Sequence, residues 1–127
     1  MGLPNGMSVE LSRGRVLPGA SAEADRWMAM LQERHAECVA SLDRERMAVE
    51  VVFRTREADG SDFLWWFSLK GDGGAGLDGS PLPIDADHLA QARRTKEPGW
   101  VEAEPQVVFL PDSVQRVIEA WAVRTPG

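Results

Sequence analysis

The sequence predicts an α+β domain in which helices cover one face of a four-stranded antiparallel sheet. Three observations carry this expectation. Residues 8–17 and 47–57 alternate along the chain with the two-residue period of strands. An Asp59-Gly60 turn signal joins the second of these runs to an aromatic segment, Phe63 to Lys70. Between the first two strands, apolar residues recur at helical spacing from Ala24 to Leu42.

The elements follow in order. Residues 1–7 (Met-Gly-Leu-Pro-Asn-Gly-Met) read as a flexible leader, and 8–127 as a single domain, in keeping with a chain of 127 residues. In the first strand Val9, Leu11, Arg13 and Arg15 share one face, and Pro18-Gly19 ends it. Ser21 is placed to cap one long helix running to about Arg46, with Ala24, Trp27, Met28, Leu31, Cys38 and Leu42 as its buried stripe.

Residues 47–57 put Met47, Val49, Val51, Phe53 and Thr55 on one face, and Ala48, Glu50, Val52, Arg54 and Arg56 on the other. In the partner strand Phe63, Trp65, Phe67 and Leu69 oppose Leu64, Trp66 and Ser68. Both faces are apolar, as in a strand covered on two sides. A Gly-rich loop over 71–84 leads to a short helix at about 86–95, capped by Asp85. Residues 105–110 are expected to form the last strand, and Asp112 or Ser113 to cap a C-terminal helix through Val114, Val117, Ile118, Trp121 and Ala122.

A βαββαβ order of this kind builds a ferredoxin-like unit, here with an extra C-terminal helix. Trp27 and Trp121 lie on helix stripes and are assigned to the core. Trp65 and Trp66, adjacent on a strand, must face opposite sides. Two helices cover one sheet face, and Val52 and Trp66 are placed on the open one. Sheet-to-sheet pairing of two copies buries such a face, so a homodimer is expected.

Composition narrows the function classes. The chain carries 20 Asp+Glu against 14 Lys+Arg, a formal net charge of -6, and lacks the basic stripe that binding to nucleic acid requires. Its single Cys excludes an internal disulfide, and with it Cys-based zinc fingers and iron–sulfur clusters. No apolar run reaches the roughly 18–20 residues that span a bilayer, so no membrane partner is expected. The first residues have neither a basic nor an apolar region of a signal peptide, and the default compartment is the cytoplasm.

Several segments resemble the DUF6176 family of unknown function. They are Val16-Leu17-Pro18-Gly19, His35-Ala36-Glu37-Cys38, Leu42-Asp43-Arg44-Glu45-Arg46-Met47 with Glu50 and Phe53, Trp65-Trp66-Phe67-Ser68, Ile84-Asp85-Ala86-Asp87-His88-Leu89, and Val107-Val108-Phe109-Leu110-Pro111-Asp112. Together they span about residues 9–115. The resemblance implies a dimeric α/β barrel and no known reaction. The strand ending in Leu-Pro-Gly before a long helix also looks like the wider antibiotic-biosynthesis monooxygenase type of barrel. That type includes cofactor-free oxygenases, haem-degrading enzymes and proteins without known activity, and none of its catalytic residues is matched here.

Three residues are candidate catalytic groups. His88 stands at a loop–helix junction, where it can act as a base or contact Asp85 in a capping box. Glu50, mid-strand between Val49 and Val51, can be a general base or half of an ion pair that fixes dimer register. His35 falls on the buried stripe, as a ligand aimed into a cavity or as a core-edge histidine. Trp66, Trp100 and Arg54 are candidate ligand-binding residues. With only two His, 53 positions apart and outside any metal-spacing motif, no metal site is expected. No cofactor is assigned. Gly71-Asp72-Gly73-Gly74-Ala75-Gly76 lacks the Lys-Ser/Thr of a phosphate loop and reads as a plain flexible loop. Cys38 reads as an inert small hydrophobe.

Three functions remain open. The chain can be a small homodimer binding an apolar or aromatic molecule. It can be a cofactor-independent monooxygenase-like or isomerase-like enzyme using His88 or Glu50. It can also be a structural or regulatory protein that only dimerises. A cavity lined by Trp66, Glu50 and His88 discriminates the first two from the third.

Overall fold

A computed structural model describes residues 2–123. Its elements are β1 (Met7–Arg15), α1 (Ser21–Glu33), α2 (His35–Glu45), β2 (Met47–Arg56), β3 (Asp62–Gly71), α3 (Pro83–Thr95), β4 (Val101–Glu102) and α4 (Asp112–Ala122). The strands form a four-stranded sheet in the order β2-β3-β1-β4, antiparallel throughout, which is consistent with a ferredoxin-like arrangement. The β2–β3 hairpin pairs Arg56 with Asp62, Phe53 with Trp65 and Val49 with Leu69. Gly60, at φ 88°, supplies the left-handed residue its turn needs, and Asp59 Oδ1 accepts the Ser61 amide at 2.9 Å.

The core lies between the sheet and the helices. Trp27 of α1, Leu64 of β3 and Thr95 of α3 are fully buried, joined by Val16, Ala24, Trp66 and Ile84. Trp27 and Trp66 pack with ring centroids 5.1 Å apart. Below the helices, Ser21 Oγ donates to Asp62 Oδ2 at 3.0 Å. The cap position of α1 is Ala20, with no side-chain cap, so Ser21 is the first helical residue instead of the cap.

The two sheet faces are exchanged relative to expectation. Leu64, Trp66 and Ser68 are buried beneath the helices, Val52 packs against the same core, and Glu50 and Arg54 share their side. The open face carries Val49, Val51 and Phe53, all exposed, beside the half-buried Phe63, Trp65 and Phe67. Strand alternation fixes which side chains travel together. It does not choose between two apolar faces for the one that receives the helices.

The single long helix is two. At Arg34 the backbone leaves helical geometry (φ -102°, ψ 37°), and α2 restarts at His35. The Arg34 guanidinium holds this joint, paired with Glu37 at 2.6 Å and with Asp87 of α3 at 2.5 Å. Helical spacing across the break therefore fails, and His35 is exposed instead of continuing the stripe of Trp27 and Leu31.

The last strand also moves. Residues 105–110 have no regular structure, and Val107 and Phe109 are exposed. The edge strand is Val101–Glu102, paired with Arg13 and Ser12, and the Ala103 amide donates to the Leu11 carbonyl at 2.8 Å. Pro105, lacking an N–H, cannot continue that ladder. α3 begins at Pro83, two residues before the expected cap, so Asp85 sits inside the first turn. α4 forms as expected but buries none of its residues, and Trp121 is half-buried under the Arg46 guanidinium, 4.7 Å from its ring centre, rather than in the core. Met7, read as leader, opens β1, and Pro4 before it is buried.

Candidate functional site

The sheet register sets the floor of a cleft. Glu10, Ser68 and Glu50 lie in one row across β1, β3 and β2, and Ser12, Trp66 and Val52 form the next row. These rows face α2 and α3. Between them opens a cleft of about 560 Å³. Cys38, Ser41, Leu42 and Glu45 of α2 form one wall, and Ile84, Asp85 and His88 of α3 the other. The Gly-rich loop closes one end and Trp100 stands at another edge.

The apolar part of the cleft is an aromatic cluster. Trp66 packs against Trp27, against His88 (5.5 Å between centroids) and edge-on against Trp100 (5.5 Å, 74°). Gly14 makes room for Trp100, since a Cβ there would meet the Lys96 side chain and the Trp100 ring. The Lys96 ammonium lies 4.3 Å from the Trp100 ring centre while donating to the carbonyls of Glu97 and Gly99 at 2.8 and 2.7 Å.

The Trp27 indole N–H donates to His88 Nδ1 at 2.9 Å. Indole N–H is a donor only, so His88 Nδ1 is the acceptor and the ring's proton sits on Nε2. Burial holds the imidazole below its ordinary range, with Asp85 pulling weakly the other way. His88 is thus a neutral Nε2–H donor. The alternative capping contact with Asp85 is not formed among the described residues, and Asp85 is bonded to two hydroxyls instead.

The polar part is acidic. Asp85, 3% exposed, accepts from Ser41 Oγ at 2.6 Å and Ser80 Oγ at 2.5 Å. Glu10 is paired with Lys70 at 2.9 Å. Glu45, at the end of α2, is 9% exposed, and burial with the charges of Glu50 and Asp85 raises its carboxyl to about 7. Glu50 is reached by solvent through the cleft yet surrounded by protein, which raises its carboxyl, while the Trp66 side chain opposes the shift. Burial likewise pushes the Cys38 thiol up, away from nucleophilic reactivity.

Of the residues singled out in the sequence, Glu50, His88, Trp66 and Trp100 all line this cleft. His35 and Arg54 do not. Arg54 is held by Asp62 (2.9 and 2.6 Å) and by Asp25 Oδ1 at 2.5 Å. Sequence reasoning missed Glu45 and the bonded role of Asp85. Glu45 had a signal: it stands three residues beyond Leu42 and seven beyond Cys38, on the apolar stripe of α2. The left-handed Arg46 (φ 59°) then ends the helix with Glu45 turned inward. Asp85 had none, because its partners Ser41 and Ser80 come from a distant helix and a loop.

Among the described residues, no group of three or more His, Cys, Asp or Glu side chains is arranged to hold a metal ion. Among the described residues, no helix is long and apolar enough to cross a membrane. The family model of DUF6176, a family of unknown function, matches residues 7–116, so the chain belongs to that family. No curated protein matches it.

Proposed function

We propose that the chain is a small-molecule-binding protein that holds an aromatic ligand in the cleft between its sheet and helices, acting as a cytoplasmic homodimer. One observation carries the reading: a single cleft is lined by Trp66, Trp100, the His88 imidazole and a small set of polar groups. Its volume of about 560 Å³ falls within the range of small-molecule sites, and its mixture of apolar wall and few convergent polar groups is typical of them. A screen of aromatic metabolites by thermal shift tests it. A hit should raise the melting temperature of the native chain and lose most of that effect in His88→Ala and Trp66→Leu. A panel with no hit would contradict the aromatic-ligand reading.

The dimer part rests on the open sheet face. Phe53 is 54% exposed and lies beside Trp65 in a cross-strand pair, with Val49 and Val51 along the same strand. A second copy of this face is the partner that fits it by symmetry.

A second, catalytic reading has its own observation. Glu50 carries a raised carboxyl in the same cleft as the Nε2–H of His88, the combination of a base and a hydrogen-bond donor that proton abstraction beside a carbonyl requires. In this reading Glu50 takes the proton and His88 donates to the developing oxyanion. Deuterium exchange into a bound ketone's α-carbon tests it: exchange should cease in Glu50→Gln while binding persists.

A further inference from the structure

We propose that the ligand taken by this cleft is an organic cation, an aromatic primary amine whose ammonium group lies between Glu45 and Glu50 while its ring rests against Trp66 and Trp100. The proposal rests on the small-molecule reading above and adds the chemical class of the ligand.

Charge accounting within the cleft leads to it. The lining carboxylates are Glu10, Glu45, Glu50, Asp72 and Asp85, against Lys70 alone. Lys70 is already paired with Glu10, and Asp85 is satisfied by two hydroxyls. Asp72 is exposed on the loop. Glu50 opens to the cleft with the Trp66 side chain as a hydrogen-bond partner but no cation, and Glu45 has neither. Glu45 is 9% exposed, lines the cleft, and has no hydrogen bond or ion pair to its carboxyl among the described residues. Its carboxyl oxygens open into the cleft, and a largely enclosed carboxylate without a cation beside it is costly; the ordinary remedy is a cation or a proton. Both carboxyls are displaced upward, chiefly by burial, the direction that a cation placed between them would oppose.

An ammonium group provides that cation. Each carboxylate accepts one of its three N–H donors. The described residues offer no cluster suited to a metal ion, which favours an amine over an inorganic cation. The aromatic surface next to Glu50 favours an amine with an aromatic body, because the ring gains apolar burial. Binding then releases whatever protons Glu45 and Glu50 hold, and affinity rises with pH from 6 to 8.

The test compares tryptamine with its neutral isostere indole-3-ethanol, by calorimetry and by amide resonances of the full chain. Tryptamine should bind at least ten-fold more tightly at pH 8, shift the resonances of Glu45, Glu50 and Trp66, and lose that preference in Glu45→Gln/Glu50→Gln. Indole-3-ethanol should still bind the same variant, which also shows that the variant is folded. Its affinity should also not vary between pH 6 and 8. Equal binding of amine and alcohol in the cleft would overturn the cationic class and leave the small-molecule reading standing. If neither compound perturbs cleft resonances, the amine proposal fails, and the aromatic-ligand reading loses its support as well.

Discussion

The indole N–H of Trp27 and the Nδ1 of His88 meet at 2.9 Å across the junction of α1 and α3. This bond ties a fully buried core residue to the wall of the cleft. It decides what His88 can do. With Nδ1 occupied as an acceptor, the imidazole presents only Nε2–H as a donor, and protonation would set two N–H groups against each other.

His88→Leu should therefore cost about 2 kcal/mol of stability, because the Trp27 N–H is left buried without an acceptor. Trp27→Phe in that background should cost less than in the native chain. A double-mutant cycle by chemical denaturation measures the difference.

The same bond gives a pH dependence. Burial depresses the folded-state pKa of His88 below the ordinary value of 6.5. The unfolded chain then binds the proton more readily, so this group's contribution is present above pH 6.5 and is lost as pH falls through the depressed value. Nitrogen NMR of His88 should show the Nε2–H tautomer at pH 6.5, with the charged form appearing only at lower pH.

Glu45 acts in the opposite sense. Its carboxyl is raised from 4.5 to about 7, so the folded state holds a proton that the unfolded state has released. Its environment is tolerated fully below pH 4.5, and the chain loses stability as pH rises through 7. Glu45→Gln should stabilise the protein by about 1–3 kcal/mol at pH 8 and have little effect at pH 4.5, as read from denaturation midpoints.

Arg54 anchors β2 and β3 to the start of α1. It pairs with Asp62 at 2.6 Å, a carboxylate only 9% exposed, and reaches Asp25 as well. Arg54→Met should cost about 2–3 kcal/mol by leaving the Asp62 carboxylate without its cation. Because that neighbour holds Asp62 below the usual carboxylate range, the loss should shrink in acid as Asp62 becomes protonated.

The open sheet face yields a prediction of assembly. Sedimentation should give twice the monomer mass at micromolar concentration, and Phe53→Glu, on the exposed face, should give the monomer with unchanged secondary structure. A native chain that sediments as a monomer would contradict the dimer.

Much of this molecule was legible in its sequence for local reasons. The β2–β3 hairpin followed from alternation and Asp59-Gly60, and α1 from its apolar stripe, because neighbouring residues determine both. The break at Arg34 was not legible, since it is held by Asp87 from another helix. The choice of covered face was not legible either, as Trp65 and Trp66 offer equal apolar surface. The edge strand was misplaced because Val107, Val108 and Phe109 have strong strand propensity, whereas pairing with β1 goes to Val101–Glu102. In the site, Glu50, His88, Trp66 and Trp100 stood out as chemical types in suggestive places. Glu45 did not, because charged residues near helix ends are ordinarily solvated.

The most direct test of the central reading is a titration of the native chain with tryptamine, followed through the indole N–H resonances. Trp66 and Trp100 line the cleft, while Trp65 lies on the opposite sheet face and Trp121 beside Arg46. The account predicts saturable shifts at Trp66 and Trp100, with Trp65 and Trp121 unmoved. Shifts confined to Trp65, or none at any indole up to millimolar ligand, would contradict it.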